Sequence, residues 1–361
     1  MHSIDHAPLA PLTTLELGGP ATRLVTLEEP GDFDDLAADV RRAGLPDVRV
    51  IGSGSNILVA DSGYDGVIAH MGTTGVEVRP HPDGQRVLIT AQAGHLLQDL
   101  VDETVQRHLS GIEMLTGIPG TVGATPIQNV GAYGQEVAET IVGVRVYDWQ
   151  THQHIDLSGE ECRFGHRASR FKHSARWTIL SVTFALVPSE LSCPLTYRAV
   201  AETAGVKIGQ PARLDEAVAA VRDVRTKKGM VLNPADADRR SVGSVFLSPV
   251  IDSQRADLLR GQGAPVNGFP DGTTRVSASW LIKEAGFALG EALALGARIS
   301  HKHFTLVADG SEATAASFAD AAALVAQRVL AATNVHLAAE PDLIGDMPKY
   351  RALTSESLKS L

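Results

Sequence analysis

Between Gly117 and Glu136 the chain reads Gly-Ile-Pro-Gly-Thr-Val-Gly-Ala-Thr-Pro-Ile-Gln-Asn-Val-Gly-Ala-Tyr-Gly-Gln-Glu, with five glycines and two prolines in twenty positions. Such a run supplies positive φ angles and close backbone approach, so that successive N–H groups can converge on an anion. Gln128, Asn129 and Tyr133 add side-chain donors and a flat surface. The chemistry these residues suit is the wrapping of a phosphate-bearing cofactor. A second segment, Val50-Ile-Gly-Ser-Gly-Ser-Asn-Ile-Leu-Val59, is a strand running into a glycine turn. It is not a Rossmann fingerprint, which needs a third glycine or alanine where this chain has Ile57. Ser53, Ser55 and Asn56 are suited to donate to a pyrophosphate beside the backbone amides. Alone the segment reads equally well as a tight structural turn; joined to the run sixty residues later, the cofactor reading prevails.

The elements that must position these loops follow from hydrophobic periodicity. Phe33, Leu36 and Val40 predict a helix over 33–44, and a short apolar strand follows at 47–51. Strands are expected at 75–79 and 86–92, then a helix with Leu96, Leu97, Leu100, Val101 and Val105 on one face. Beyond the glycine-rich run come expected strands at 141–148 and 177–186 and a helix near 213–226 with Leu214, Val218 and Val221 on its stripe. The Pro/Asp/Arg-rich stretch Asn233–Arg240 marks a domain boundary. After it the pattern predicts strands near 244–247 and 304–308, a helix near 277–285, and an Ala-rich helix at 312–332 bearing Phe318, Val325 and Val329. The class is α+β.

Bulk properties narrow the partners. A chain of 361 residues is long enough for two or three domains with cores of their own. Its net charge of −10 argues against a general nucleic-acid binder, which needs a surplus of Lys and Arg. Cys162 and Cys193 are too few for a disulfide framework and lack metal-ligand spacing, so they read as free thiols in a reducing compartment, with no metal expected. No leader pattern and no unbroken run of about 18 apolar residues is seen, and the expectation is a cytoplasmic protein without a membrane partner.

Taken together, the two loops resemble the FAD-binding domain of the UDP-N-acetylenolpyruvoylglucosamine reductases, flavoenzymes of bacterial peptidoglycan synthesis. The resemblance extends over nearly the whole chain in eight ordered segments: Thr13–Ala21, Gly52–Leu58, Gly117–Glu136, Cys162–His173, Arg225–Lys228, Arg240–Pro249, Ser277–Ile282 and Glu340–Gly345. It implies a two-part FAD-binding domain of the vanillyl-alcohol-oxidase/PCMH type plus a separate α/β substrate-binding domain. The implied layout is 1–75 as a first FAD-binding subdomain, with the tail 338–361 returning to it, 76–228 as a second, and 229–337 for substrate. Non-covalent FAD would be held by Gly52, Ser53, Gly54, Ser55, Asn56, Ile57, Gly117, Pro119, Gly120, Gly123, Ala124, Gln128, Asn129, Gly131, Ala132 and Tyr133, with NADPH as hydride donor.

The catalytic carry-over is Arg167, Ser244 and Glu340. A guanidinium at Arg167 stays charged and grips a carboxylate bidentately; Ser244 falls on the proton-donating serine, and Glu340 on the active-site glutamate that helps stabilise an enol. Substrate contacts fall on Tyr197, which suggests the loop-bearing subclass, and on Lys228, Ser248 and Arg275. Departures from the pattern lie at His166 (usually tyrosine), Val245, Leu247, Ser248 (usually asparagine), Asn267 and Pro341-Asp342 (usually Val-Arg). The implied reaction is NADPH-driven reduction of UDP-N-acetylglucosamine enolpyruvate to UDP-N-acetylmuramate by a monomer or weak dimer. The rivals are a reductase for another enolpyruvyl nucleotide, which the departures at His166, Leu247, Ser248 and Asn267 motivate, an FAD oxidase of the wider fold, and a non-catalytic nucleotide binder.

Overall fold

Amphipathic helices and alternating strands account for most of the architecture. The computed structural model describes residues 1–43, 48–269, 271–294 and 296–354; positions 44 and 47 of the expected first helix and strand, and 355–361 of the expected tail, lie outside the described residues. The chain forms two compact units, one of 1–5, 23–53 and 66–232 and the other of 6–22, 54–65 and 233–361.

In the first unit, the helix Asp32–Ala43 opens with Asp32, Asp34 and Asp35 and closes with Arg41 and Arg42, the charge order its dipole favours. It buries Phe33 edge-on against Tyr147 and Trp149, at centroid distances of 5.2 and 5.8 Å. An antiparallel sheet runs in the order Gln153–Ser158, Ile141–Asp148, Trp177–Pro188, Val87–Gln92, Val76–Pro80, with Leu109–Ser110 pairing to the end of Trp177–Pro188. The register sets Val182 opposite both Val144 and Ala91, so that buried residues line one face. The helix Leu97–Gln106 buries Leu97, Leu100 and Val101. Leu96, expected on that face, is instead the extended residue ahead of the helix and is exposed. The helices Arg198–Thr203 and Leu214–Lys227 close a smaller core around Met114, Leu195, Val200 and Val221.

The second unit has one core, to which Leu58, Phe246, Leu281, Phe318 and Val325 contribute. Its longest helix, Ala315–Thr333, is apolar and long enough to cross a membrane by composition, yet Phe318, Val325 and Val329 on its buried face belong to this core. The helix N-terminus is capped twice. Thr314 accepts from Ser317 N at 3.0 Å, and the Asp61 carboxylate accepts from the amides of Ala315 and Ala316, each at 2.8 Å. A parallel pair, Ile57–Val59 with Asp342–Ile344, ties the glycine turn to the C-terminal segment.

The strand expected at 244–247 is not a strand. Gly243 (φ +74°) and Pro249 interrupt extended pairing on either side, leaving an isolated antiparallel bridge between Phe246 and Ala339. Regular pairing resumes at Val250–Ile251.

Candidate functional site

The glycine-rich run begins below the helix Leu97–Gln106, whose Leu97 amide donates to Gly120 O at 3.0 Å. The amides of Val122 and Gly123 donate to His95 O and Ala93 O, each at 2.8 Å, and those of Ala124, Thr125, Asn129 and Val130 also meet carbonyls. Two of these six N–H groups therefore tie the run to the segment 93–95 and four build its own turns, and an anion cradle has to draw on others. Gly52 approaches the run from its strand end. A Cβ placed on Gly52 would lie 2.2 Å from Thr121 Oγ1, so only glycine lets the two loops meet this closely. The division between units falls inside this turn, after Ser53. On the far side, a Cβ at Gly54 (φ +61°) would lie 2.0 Å from Leu12 O, within the second unit. Ser55, Asn56 and Ile57 are partly buried, and Asn56 O accepts from Asp342 N at 3.0 Å.

Two buried polar atoms beside these loops, Ser53 Oγ and His95 Nε2, have no hydrogen-bond partner. A buried unsatisfied hydroxyl and imidazole are costly unless a ligand completes them. Together with the Gly52 approach, they fit the polar phosphates of a dinucleotide cofactor. Pro119 and Gln128 are partly buried in the same run.

Asn129 makes side-chain hydrogen bonds within the protein. It is buried, and its side chain donates to Glu136 Oε2 (2.7 Å) and Gly165 O (3.0 Å) while accepting from Ala138 N (3.0 Å). The carboxamide is thus committed to holding the run against the 165–168 turn. Gly131–Ala132 and Gln135–Glu136 form a short hairpin, turned by Tyr133 (φ +53°) and Gly134 (φ +89°), as a type I′ turn requires. Beneath it lies Glu113, fully buried, accepting from Ser110 Oγ (2.9 Å), Gly111 N (2.6 Å), Cys193 N (2.7 Å) and Gln135 Nε2 (3.3 Å).

Arg167 occupies a tight turn closed by Gly165 and Ala168, with its own φ at +52°. Its guanidinium docks on the glycine-rich run, donating to Gly131 O at 2.8 Å and Asn129 O at 3.4 Å. Glu136 lies 3.9 Å from Arg167 and 3.5 Å from His166 Nδ1. Tyr133 meets Tyr197 edge-on at 5.4 Å, and Tyr197 is exposed at the start of the helix Arg198–Thr203. Burial raises the Tyr133 phenol, against the opposing pull of the Arg225 cation. Lys228 is exposed at its surface, yet crowding by the protein, with the like charge of Arg225, lowers its ammonium pKa.

Arg225 was not singled out as a site residue. It is buried, its Nη2 donates to Met230 O at 2.9 Å, and its Nε lies beneath Gly117 without a partner. The signal was available: Arg225 continues the apolar stripe of Val218 and Val221 on the helix Leu214–Lys227. Glu113 and Glu136 left no comparable trace.

In the second unit Ser244 is exposed between the buried Val242 and Val245. Main-chain pairing joins the residues that follow it to the Glu340 segment: Glu340 N donates to Val245 O and Leu247 N to Ala338 O, both at 2.9 Å. Glu340 is partly buried. Ser248 follows on the same strip, also partly buried. Arg275 faces both Val250 and Asn267 across its strand pairs. Its guanidinium binds Asp271 Oδ2 (2.6 Å) and Thr273 Oγ1 (2.9 Å) and lies 4.9 Å from the Phe269 ring centroid. Ser244, Glu340, Ser248 and Arg275 therefore belong to the second unit, and Arg167, Tyr197 and Lys228 to the first. Cys162 and Cys193 are free thiols, which burial raises to about 11 and about 12, and among the described residues no His/Cys/Asp/Glu group is arranged for a metal.

Residues 21–156 match the family described as FAD binding domain, and residues 233–344 match the family described as UDP-N-acetylenolpyruvoylglucosamine reductase, C-terminal domain. The curated UDP-N-acetylenolpyruvoylglucosamine reductase of Salinispora arenicola is 44% identical over 84% of this chain and 85% of its own length. The enzyme of that name from Streptomyces coelicolor is 40% identical over 96% and 91%. Among solved structures, the UDP-N-acetylenolpyruvylglucosamine reductase of Thermus caldophilus superposes with a TM-score of 0.62 at 24% identity, covering 95% of this chain and 98% of that one, a likeness of fold. The pairing of an FAD-binding domain with a reductase C-terminal domain is the fold class expected from sequence.

Proposed function

Because the chain belongs to the UDP-N-acetylenolpyruvoylglucosamine reductase family, it is an FAD-dependent oxidoreductase of peptidoglycan precursor synthesis, and we propose that Arg167, Ser244 and Glu340 carry its chemistry. The activity is reduction of UDP-N-acetylglucosamine enolpyruvate to UDP-N-acetylmuramate, with NADPH as the reductant the family implies. The flavin, when bound, supplies hydride transfer from NADPH to the enolpyruvyl group. Gly52, Ser53 and the Gly117–Tyr133 run are the residues we assign to hold it, supported by the orphaned Ser53 and His95 atoms beside the Gly52 approach.

The protein's own groups handle charge and protons. Hydride addition at the terminal vinyl carbon places negative charge on its neighbour, delocalised into the carboxylate. Arg167 is assigned to grip that carboxylate: its fixed charge and fork geometry suit a bidentate contact that strengthens as charge grows. Glu340, as a neutral or proton-sharing acid, is assigned to donate toward the same enolate oxygen. Ser244 is assigned to deliver the proton to the carbon. The observation that supports this reading is the main-chain pairing of the two segments, in which Glu340 N donates to the carbonyl of Val245, the residue after the exposed Ser244. Tyr197, Lys228, Ser248 and Arg275 are proposed for the nucleotide-sugar end. We further propose a cytoplasmic monomer or weak dimer, in keeping with a soluble nucleotide-sugar substrate.

The test is anaerobic. Purified holoprotein is bleached with NADPH, UDP-N-acetylglucosamine enolpyruvate is added, and flavin absorbance is followed at about 450 nm. Rapid return of the oxidised spectrum with formation of the lactyl ether is the expected result. Bleaching without return would send the assignment to another enolpyruvyl nucleotide, a reading that Leu247, Ser248 and Asn267 would then support.

A further inference from the structure

Thr305 belongs to none of the sequence segments tied to the reaction, yet its hydroxyl spans Ser244. The side chain is buried. Its Oγ1 donates to Gly243 O at 2.7 Å and accepts from Val245 N at 3.4 Å, taking one main-chain group from each neighbour of Ser244. Thr305 is itself anchored, its carbonyl accepting from Ser300 N and its amide donating to His303 O, each at 2.9 Å. The strand that follows it, Leu306–Ala308, is tied to the same connector by Ala308 N donating to Arg240 O at 2.9 Å.

We propose that Thr305 is a positioning residue for Ser244, fixing the backbone on which the proton-donating hydroxyl stands. The inference rests on the reading of Ser244 as general acid. Gly243 holds φ at +74°, and a glycine there has wide conformational freedom. A proton donor, by contrast, must stay within a fraction of an ångström of its productive position. The bracket formed by one buried hydroxyl restricts both peptide groups flanking Ser244 without touching its side chain.

The experiment separates the two halves of the turnover by rapid mixing, since bleaching by NADPH does not need Ser244 whereas reoxidation by the enolpyruvyl substrate does. Thr305→Val keeps the shape and removes the hydroxyl; Thr305→Ser keeps the hydroxyl. Expected for T305V is reoxidation slowed roughly 10- to 100-fold, the scale of a displaced reacting group, with bleaching unchanged within about twofold. T305S is expected to recover most of the reoxidation rate. In an S244A background, T305V is expected to add nothing. The proposal is overturned if T305V reoxidises at the native rate, if it slows both halves alike, or if it slows S244A by the same factor as the native enzyme. Normal reoxidation by S244A alone would remove the premise and the proposal with it, an outcome distinct from a slow S244A paired with a native-rate T305V.

Discussion

In the first unit a guanidinium reaches out to the carbonyls of Gly131 and Asn129 and is flanked by Glu136, so Arg167 is held by side-chain hydrogen bonds on a loop that is itself held by the side chain of Asn129. In the second unit the corresponding groups ride on main chain. The two short segments that carry Ser244 and Glu340 are joined by backbone pairing. The difference bears on which substitutions each region tolerates. Side-chain scaffolding ties function to residue identity at several positions. Backbone scaffolding depends less on the identity of the side chains along it, in keeping with the departure at the partly buried Leu247 on the strip that carries Ser244.

The largest effect expected from breaking the comparison is at Ser244. Ser244→Ala should slow reoxidation by the enolpyruvyl substrate about 10³-fold, the range of general acid catalysis. As an exposed surface change it should leave thermal stability nearly untouched. Arg167→Lys should cost about 10²-fold in kcat/KM, because an ammonium cannot reproduce the fork that meets both carbonyls and a substrate carboxylate. Steady-state kinetics would detect it, and an activity within twofold of native would contradict the assigned role. Asn129→Ala then sharpens the contrast between regions. It leaves three partly buried groups without their partner and should destabilise by about 1 kcal/mol, lowering the denaturation midpoint and the retained flavin together. Alanine at Val245, whose main chain does the pairing, should instead cost stability while flavin retention holds.

The smallest effect is common to both units. Asp148, hydrogen-bonded by Arg176 Nε at 2.8 Å and Nη2 at 2.6 Å, is lowered to about 2 from 3.8. Asp238 is also lowered to about 2: burial pushes its carboxyl up, but hydrogen bonds from Ser300, Arg298 and His301 outweigh that. A carboxylate whose pKa is depressed by folding contributes stability that is complete above about pH 4 and is lost as pH falls toward 2. The melting temperature should therefore fall across that window. Asp148→Asn and Asp238→Asn should each lower stability near neutrality and flatten that acid limb, one from each unit. An acid limb as steep in both variants as in the native protein would show that neither pair contributes.

Much of the local structure could be read in advance where a single face of one element decides the outcome. Phe33 and Leu36 marked the first helix, and Val218 and Val221 the helix that ends at Lys227, because a period of 3.6 is written in consecutive residues. The reading failed where partners come from far along the chain. Leu96 looked like part of a buried stripe but precedes its helix. Residues 244–247 looked like a strand, but Gly243 and Pro249 confine pairing to one bridge with Ala339, 93 positions away from Phe246 in sequence.

By itself, the sequence determined the glycine-rich run, the chemical types at Arg167, Ser244 and Glu340, and the α+β class, since these depend on residue identity and short-range spacing. Only the tertiary structure decided that Asn129 braces the loop, that Glu113 is buried beneath the hairpin, that Arg225 lies under Gly117, and that the Thr305 hydroxyl brackets Ser244. The reason is physical: a buried polar group is defined by donors and acceptors that satisfy it, and these are drawn from segments whose meeting no local pattern records.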